Sequence, residues 1–153
     1  MFQACIKKLL LVFIFSISSV LIAEDYQAGK HYQVLSEPIA TRDSKKIEVI
    51  EFFWFGCGHC YSLENQLNSW EEKLPADIDF WRSPITWNEM AKTHAKLFYA
   101  AEFFKKPDII ASTFVSIHAN QRMMTSEREL QPFFASFGIA EDQYQSLFNS
   151  FAM

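Results

Sequence analysis

Residues 57–60 read Cys-Gly-His-Cys and stand where a strand pattern gives way to a helical pattern. The strand pattern covers residues 46–55, where alternating β-branched residues run into a continuous apolar stretch typical of a buried strand. Apolar side chains then recur every three or four positions through residues 57–74, which predicts an amphipathic helix. The junction therefore predicts an α/β fold with both cysteines in the first turn of a helix.

The rest of the chain divides into a mixed part and a helical part. Residues 31–35 and 78–82 have strand patterns, so the order up to Pro84 is β-β-α-β. After Pro84 we expect only helices, over residues 86–104, 107–119, 126–137 and 140–151. Two pairs of residues have capping-box spacing and mark helix starts: Thr86 with Glu89, and Ser126 with Glu129. The pattern indicates a small helical subdomain attached to a partial α/β unit.

The first 23 residues have the pattern of a secretory signal peptide. Lys7 and Lys8 precede an apolar run over residues 9–20, and Ala23 supplies a small residue before an acidic pair. The run is short for a membrane span, although an uncleaved N-terminal anchor is the alternative interpretation. We expect export and removal of this segment.

Removal of the signal peptide changes the cysteine count. The chain has three cysteines, and Cys5 leaves with residues 1–23, so only Cys57 and Cys60 remain. An exported domain held together by disulfides would distribute several cysteines along its length. One adjacent pair therefore favours catalysis over a structural role.

Charge excludes one class of partner. The chain carries 14 Lys and Arg against 18 Asp and Glu, and Lys7 and Lys8 are lost with the signal peptide. Without a basic stripe to neutralise phosphates, we expect no nucleic-acid binding.

The spacing of the two cysteines suits thiol:disulfide exchange. At the mouth of a helix, Cys57 would meet free backbone N–H groups and the positive end of the helix dipole, which lower the pKa of a thiol. His59 would add a positive charge or a hydrogen bond to the thiolate, and Gly58 would leave room for a substrate chain. A stabilised thiolate favours the dithiol and makes the disulfide a stronger oxidant. We therefore predict Cys57 as the exposed, attacked sulfur and Cys60 as the buried resolving sulfur.

Two other interpretations of the pair remain open. A Cys-x-x-Cys pair is half of a zinc site, but the remaining histidines, His31, His94 and His118, are unclustered, and no second cysteine pair follows. A structural disulfide over so short a loop would gain little chain entropy. His94 and His118 are predicted to be surface or boundary side chains without a ligand role.

Residues 51–64, Glu-Phe-Phe-Trp-Phe-Gly-Cys-Gly-His-Cys-Tyr-Ser-Leu-Glu, resemble the active-site segment of DsbA-type periplasmic thiol:disulfide oxidoreductases. The resemblance implies a thioredoxin-like fold interrupted by a helical domain. It divides the chain into a signal peptide (1–23), the N-terminal part of a thioredoxin-like domain with the Cys-x-x-Cys motif (24–85) and the inserted helical domain (86–153). It also implies periplasmic localisation, exported substrate proteins with free cysteines, a quinone-linked membrane partner for reoxidation, and no cofactor.

Two further site residues follow from the resemblance. Glu51, within the central strand, matches the acidic residue beneath the active site of the family, and Arg82 matches a basic residue that pairs with it. A buried carboxylate there would accept the proton of Cys60, and the cation would offset the cost of burial. An ordinary strand-end ion pair is the alternative. Gly58 replaces the proline that is commonest in the family, as in protein disulfide isomerases, which implies a milder redox poise.

The sequence ends before the family pattern does. The C-terminal strands and helix of the thioredoxin unit have no counterpart before Met153, nor has the loop with the cis-proline that lies against the disulfide. We therefore expect an uncovered sheet edge and marginal stability. The alternative function is that of a truncated, non-catalytic fragment that retains only contacts with other proteins.

Overall fold

The computed structural model describes residues 25–150, which fall into two units divided between Ile39 and Ala40. The predicted signal peptide lies outside the described residues. Residues 25–39 form bends and a single bridge between Ala28 and Tyr32, where Gly29 adopts a left-handed conformation with φ of 81°. The predicted strand over residues 31–35 is therefore wrong, because its residues pair with no neighbouring strand in the described part of the chain.

The second unit contains a two-stranded parallel sheet of β1 (Ile47–Phe53) and β2 (Ile78–Pro84). The register sets Glu51 opposite Arg82. Helix α1 (Gly58–Glu71) connects the two strands, as a parallel pair requires. The predicted strand-helix-strand order is confirmed here, with each strand boundary within two residues of the expected one.

Four more helices follow: α2 (Glu89–Phe103), α3 (Asp108–His118), α4 (Glu127–Ser136) and α5 (Glu141–Phe148). Helix α2 begins differently from the prediction, because the side chain of Asn88, not of Thr86, accepts a hydrogen bond from the N–H of Ala91 at 2.8 Å. The start of α4 matches the prediction. There the Glu129 carboxylate accepts hydrogen bonds from the backbone N–H and the hydroxyl of Ser126.

The apolar core lies mainly among the helices. Phe98, Phe114 and Phe134 are almost fully buried, and Phe53 and Phe55 reach into the same cluster from the end of β1 and the loop after it. The ring of Phe53 packs on those of Phe98 and Phe114, and the ring of Phe55 packs on Phe114 at 4.8 Å between centroids. The core therefore holds the residues that immediately precede Cys57.

The mixed α/β architecture agrees with the predicted thioredoxin-like class with an added helical part. Residues 40–150 form one compact unit, and the division at residue 85 into two domains stays a prediction. Among residues 25–150, no helix has the length and apolar character needed to cross a bilayer.

Candidate active site

A tight turn places Cys57 at the start of α1. The N–H of Cys57 donates to the carbonyl of Trp54 at 2.9 Å, which closes the turn. Gly56 is required in it, because a Cβ atom there would lie 2.3 Å from the indole of Trp54. Cys57 is the N-cap residue with extended dihedral angles, and its Sγ accepts from the N–H of Cys60 at 3.4 Å. The thiol thus occupies the position where a helix offers free N–H donors.

The pKa values of the two thiols are shifted in opposite directions. Burial and the charge of Glu51 act to raise the pKa of Cys57, but hydrogen bonds from the thiol and backbone N–H of Cys60 and from the backbone of His59 outweigh them and lower it. Burial is the main cause that raises the pKa of Cys60 to about 11. Both cysteines are free thiols. The arrangement makes Cys57 the better nucleophile and keeps Cys60 protonated.

His59 takes part through its backbone in this geometry. Its side chain is exposed, and its imidazole makes no hydrogen bond to any other residue in the described ranges. Its N–H group lies in the first turn and helps to stabilise the sulfur of Cys57. The expected tuning by the imidazole stays a prediction.

A largely buried ion-pair network joins Glu51 of β1, Arg82 of β2 and Glu64 of α1. The Nε of Arg82 donates to Oε2 of Glu51 at 2.5 Å, and its Nη2 forms a second ion pair with Oε1 of Glu64. All three side chains are close to 10% exposed. Burial acts to lower the pKa of Arg82, but the bonds to Glu64 and Glu51 raise it. The network holds two carboxylates and one cation, and the charge of Glu51 acts to raise the pKa values of both cysteines.

Glu64 has a structural role that the sequence pattern did not predict. The apolar side chains that recur through residues 57–74 and predicted an apolar helix face include Leu63 and Trp70. These two are 43% and 40% exposed, whereas Glu64 is the one buried residue of α1. Burial, opposed by Arg82, raises the pKa of Glu64. The signal that would have found it is its spacing, since it lies four residues after Cys60 on the same helical face.

Two histidines predicted to be surface or boundary side chains contact the active-site segment. His94 is fully buried, its Nε2–H donates to the carbonyl of Met123 at 2.9 Å, and its ring stacks on Trp54. Burial lowers the pKa of His94. His118 is half-buried, and its Nε2 lies 2.8 Å from the carbonyl oxygen of Phe55. The position of His94 was mispredicted, because a helical pattern does not show which neighbouring element covers a polar residue, whereas His118 lies at the boundary as predicted.

The described residues bring together no group of three or more His, Cys, Asp or Glu side chains placed to hold a metal ion. His31 bonds locally to the N–H of Gln27, while His94 and His118 each bond to a backbone carbonyl. The three histidines thus have backbone partners instead of forming a cluster near Cys57.

No protein-family model matches the chain. Individual relatives do. The thiol:disulfide interchange protein DsbA of Pseudomonas aeruginosa is 37% identical over 132 residues, which is 86% of this chain. A crystal structure of P. aeruginosa DsbA matches with a TM-score of 0.72, covering 85% of this chain and 68% of that one. The chain belongs to the DsbA family.

Other DsbA proteins show the same relationship. The DsbA of Burkholderia cepacia is 31% identical over 128 residues, and the N. meningitidis oxidoreductase NmDsbA1, at 22% identity and a TM-score of 0.65, shares the fold. The chain spans 63% of the length of the P. aeruginosa relative. The resemblance noted from residues 51–64 is thus confirmed at the level of the family.

Proposed function

We propose that this DsbA-family chain is an exported thiol:disulfide oxidoreductase that donates a disulfide to cysteines of substrate proteins. The observation that carries the proposal is that the pKa values of two neighbouring thiols are shifted in opposite directions. The pKa of Cys57 is lowered at the helix N-terminus, while that of Cys60, one turn further along, is raised to about 11. A pair poised in this way has one attacking and one resolving sulfur.

The reaction begins with the Cys57–Cys60 disulfide of the oxidised protein. A substrate thiolate attacks Sγ of Cys57, a mixed disulfide forms, and Cys60 leaves as a thiolate that takes up a proton. A second substrate thiolate then attacks the substrate sulfur of the mixed disulfide and releases Cys57 as a thiolate. The substrate gains a disulfide and loses two electrons, and the protein becomes the dithiol.

The other predicted site residues act on this pair. The negative charge of Glu51 raises the pKa of Cys60, so Glu51 favours proton uptake by the leaving thiolate. Arg82 holds Glu51 in place and offsets the cost of its burial. His59 is assigned to tuning of the thiolate, through its N–H and through its exposed ring. Glu64 joins this set as the second carboxylate of Arg82.

Substrates and partners are assigned by family membership. We propose periplasmic localisation, newly exported proteins with free cysteines as substrates, and a quinone-linked membrane protein that reoxidises the dithiol. Gly58 in place of proline favours a milder oxidant than the commonest family motif. The intact thiol geometry argues against the alternative of a non-catalytic fragment that only binds other proteins.

The test compares the chain with its Cys57→Ser variant. We expect the protein to catalyse oxidation of a reduced dithiol peptide, and reduction of insulin by dithiothreitol, with Cys57→Ser inactive in both assays and equally stable. Equal rates for the two proteins would reject catalysis. Mass spectrometry of a Cys60→Ser variant should trap the mixed disulfide on Cys57, because the resolving sulfur is absent.

A further inference from the structure

His118 connects the helical part of the molecule to both sides of the cysteine motif. It is the last residue of α3, and its Nε2 lies 2.8 Å from the carbonyl oxygen of Phe55, two residues before Cys57. Its ring also stacks on Tyr61, the residue after Cys60, with 4.8 Å between centroids and 9° between planes. A single side chain therefore contacts residues on both flanks of the Cys-x-x-Cys segment.

The hydrogen bond to Phe55 has a fixed direction. A carbonyl oxygen only accepts, so Nε2 of His118 carries the hydrogen and donates. Phe55 is fully buried, and the same turn carries the Cys57 N–H bond to Trp54. Because a buried carbonyl without a partner is costly, this bond stabilises one orientation of the Phe55–Gly56 peptide.

The stacking of His118 on Tyr61 holds the segment that follows Cys60. The N–H of Tyr61 donates to the carbonyl of Cys57 at 3.0 Å, which is the first backbone bond of α1. The ring of Tyr61 also stacks on Phe114, one turn before His118 on α3. The first turn of α1 is therefore held against α3 while the preceding loop is hydrogen-bonded to it.

We propose that His118 is a positioning residue for the redox pair, which holds the Phe55 carbonyl and the Tyr61 ring so that Cys57 stays at the N-cap of α1. The glutathione equilibrium used to test the proposal rests on the proposed function, whereas the titration of the Cys57 thiol does not. The N–H groups that stabilise the Cys57 thiolate belong to the first turn of α1, and their effect decreases sharply with distance. When the loop moves, the thiolate loses these donors.

The test separates the hydrogen bond from the aromatic stack. His118→Phe keeps a ring against Tyr61 but has no N–H, whereas His118→Gln keeps an N–H donor. His31→Phe is the matched control, since the imidazole of His31 bonds to the N–H of Gln27 and packs on Tyr26. For each protein we would titrate the Cys57 thiolate by ultraviolet absorbance and measure the dithiol–disulfide equilibrium with glutathione.

We expect His118→Phe to raise the Cys57 pKa by about one unit and to lower the oxidising equilibrium constant with glutathione about tenfold. His118→Gln should restore most of both values, and His31→Phe should match the unmodified protein. A His118→Phe protein that is folded and titrates like the unmodified protein would overturn the proposal. So would a His118→Gln protein that is changed as much as His118→Phe.

Two further readouts keep the outcomes distinct. If His118→Phe does not fold, nitrogen NMR of the unmodified protein decides: an Nε2–H protected from exchange supports the proposal, and a freely exchanging ring overturns it. If neither the unmodified protein nor any variant oxidises a peptide, the proposed function fails. The Cys57 titration in that case still tests the role of His118.

Discussion

Helices α1 and α2 are nearly equal in length but bury opposite kinds of side chain. Of the 14 residues of α1 a single one, Glu64, is buried, and it is charged. Of the 15 residues of α2 seven are buried, and all but His94 are apolar. The helix that carries the thiols is thus held by an ion-pair network, a turn and the Tyr61 ring, while most of the buried apolar side chains belong to the other helices.

The two regions meet at the end of β1. Phe53 is 1% exposed and packs in the helical core, while its neighbour Phe52 is 67% exposed. The guanidinium of Arg82 also lies over the ring of Phe53, at 5.1 Å from its centroid. Phe53 therefore contacts both the apolar core and the charged network. It links them at the end of the strand that leads to Cys57.

The largest expected effect is a loss of stability at this junction. Phe53→Ala should lower the free energy of unfolding by about 3–5 kcal/mol, because it leaves a cavity in a packed core. Phe52→Ala is the matched control on the same strand and should change it by less than about 0.5 kcal/mol. Urea unfolding followed by circular dichroism measures both. Equal losses in the two variants would show that β1 does not contact the core through one face.

The next effect concerns the charged network. Arg82→Met would leave Glu51 and Glu64 buried without their cation, and should cost about 3 kcal/mol of stability. Arg42→Met is the control, since Arg42 is exposed and lies 3.8 Å from Asp79, so its loss should be below about 1 kcal/mol.

Urea unfolding at neutral and acidic pH distinguishes the cause. The loss in Arg82→Met should shrink at acidic pH, because protonated carboxyls need no cation. A loss that stays constant with pH would mean that Arg82 contributes by packing on Phe53 instead of by charge. Restoration of stability by the further changes Glu51→Gln and Glu64→Gln would support the electrostatic explanation.

The sequence sufficed for the parts of the fold that local patterns determine. The strand that leads into the cysteines, the helix start at Ser126 and the pairing partners Glu51 and Arg82 were all found, the last two through the family resemblance. These features depend on neighbouring residues or on a motif. The same motif also identified the Cys57–Cys60 pair.

Residues whose role depends on distant contacts were not found. Glu64 breaks the expected apolar face of α1, since Arg82 from a separate strand provides its partner. His118 is 63 residues from Phe55 in sequence, so no spacing rule connects them. Asn88 replaced Thr86 as the cap, and because either residue type can accept the capping bond, residue type alone does not distinguish the two positions.

The two glycines that flank Cys57 differ in the space around them. A Cβ at Gly56 would overlap the Trp54 indole, whereas a Cβ at Gly58 would have no atom within 4 Å. Gly56→Ala should therefore cost about 1–3 kcal/mol, because the indole is stacked on His94 and cannot move freely. It should also slow peptide oxidation. Gly58→Ala should leave stability unchanged or slightly higher, since alanine favours helices. Thermal unfolding and the peptide assay would show the contrast, and similar results at both positions would contradict it.

The smallest expected effect is a pH dependence that differs between the regions. Burial raises the pKa of Cys60 from 9.0 to about 11, and in the helical region burial and Glu127 raise that of Tyr144 from 10.0 to about 12. The folded state keeps both groups protonated where the unfolded state ionises them, so stability falls between pH 9 and 11 for Cys60 and between pH 10 and 12 for Tyr144. The lowered pKa of Cys57 acts oppositely and adds stability as the pH rises towards 9.

Urea unfolding of the reduced and oxidised proteins separates the two regions. The oxidised protein has no free thiol, so only the loss from Tyr144 should remain. As the pH rises to about 9, the stability of the reduced form should therefore increase relative to that of the oxidised form, and above pH 9 it should decrease. We expect a change below about 1 kcal/mol, because both cysteines are partly exposed and solvent screens them. A Tyr144→Phe variant should lose the decline above pH 10 in the oxidised form, whereas the reduced form should keep the decline that Cys60 causes up to about pH 11. If the reduced and oxidised proteins lose stability in parallel from pH 9 to 11, the thiols do not differ as proposed.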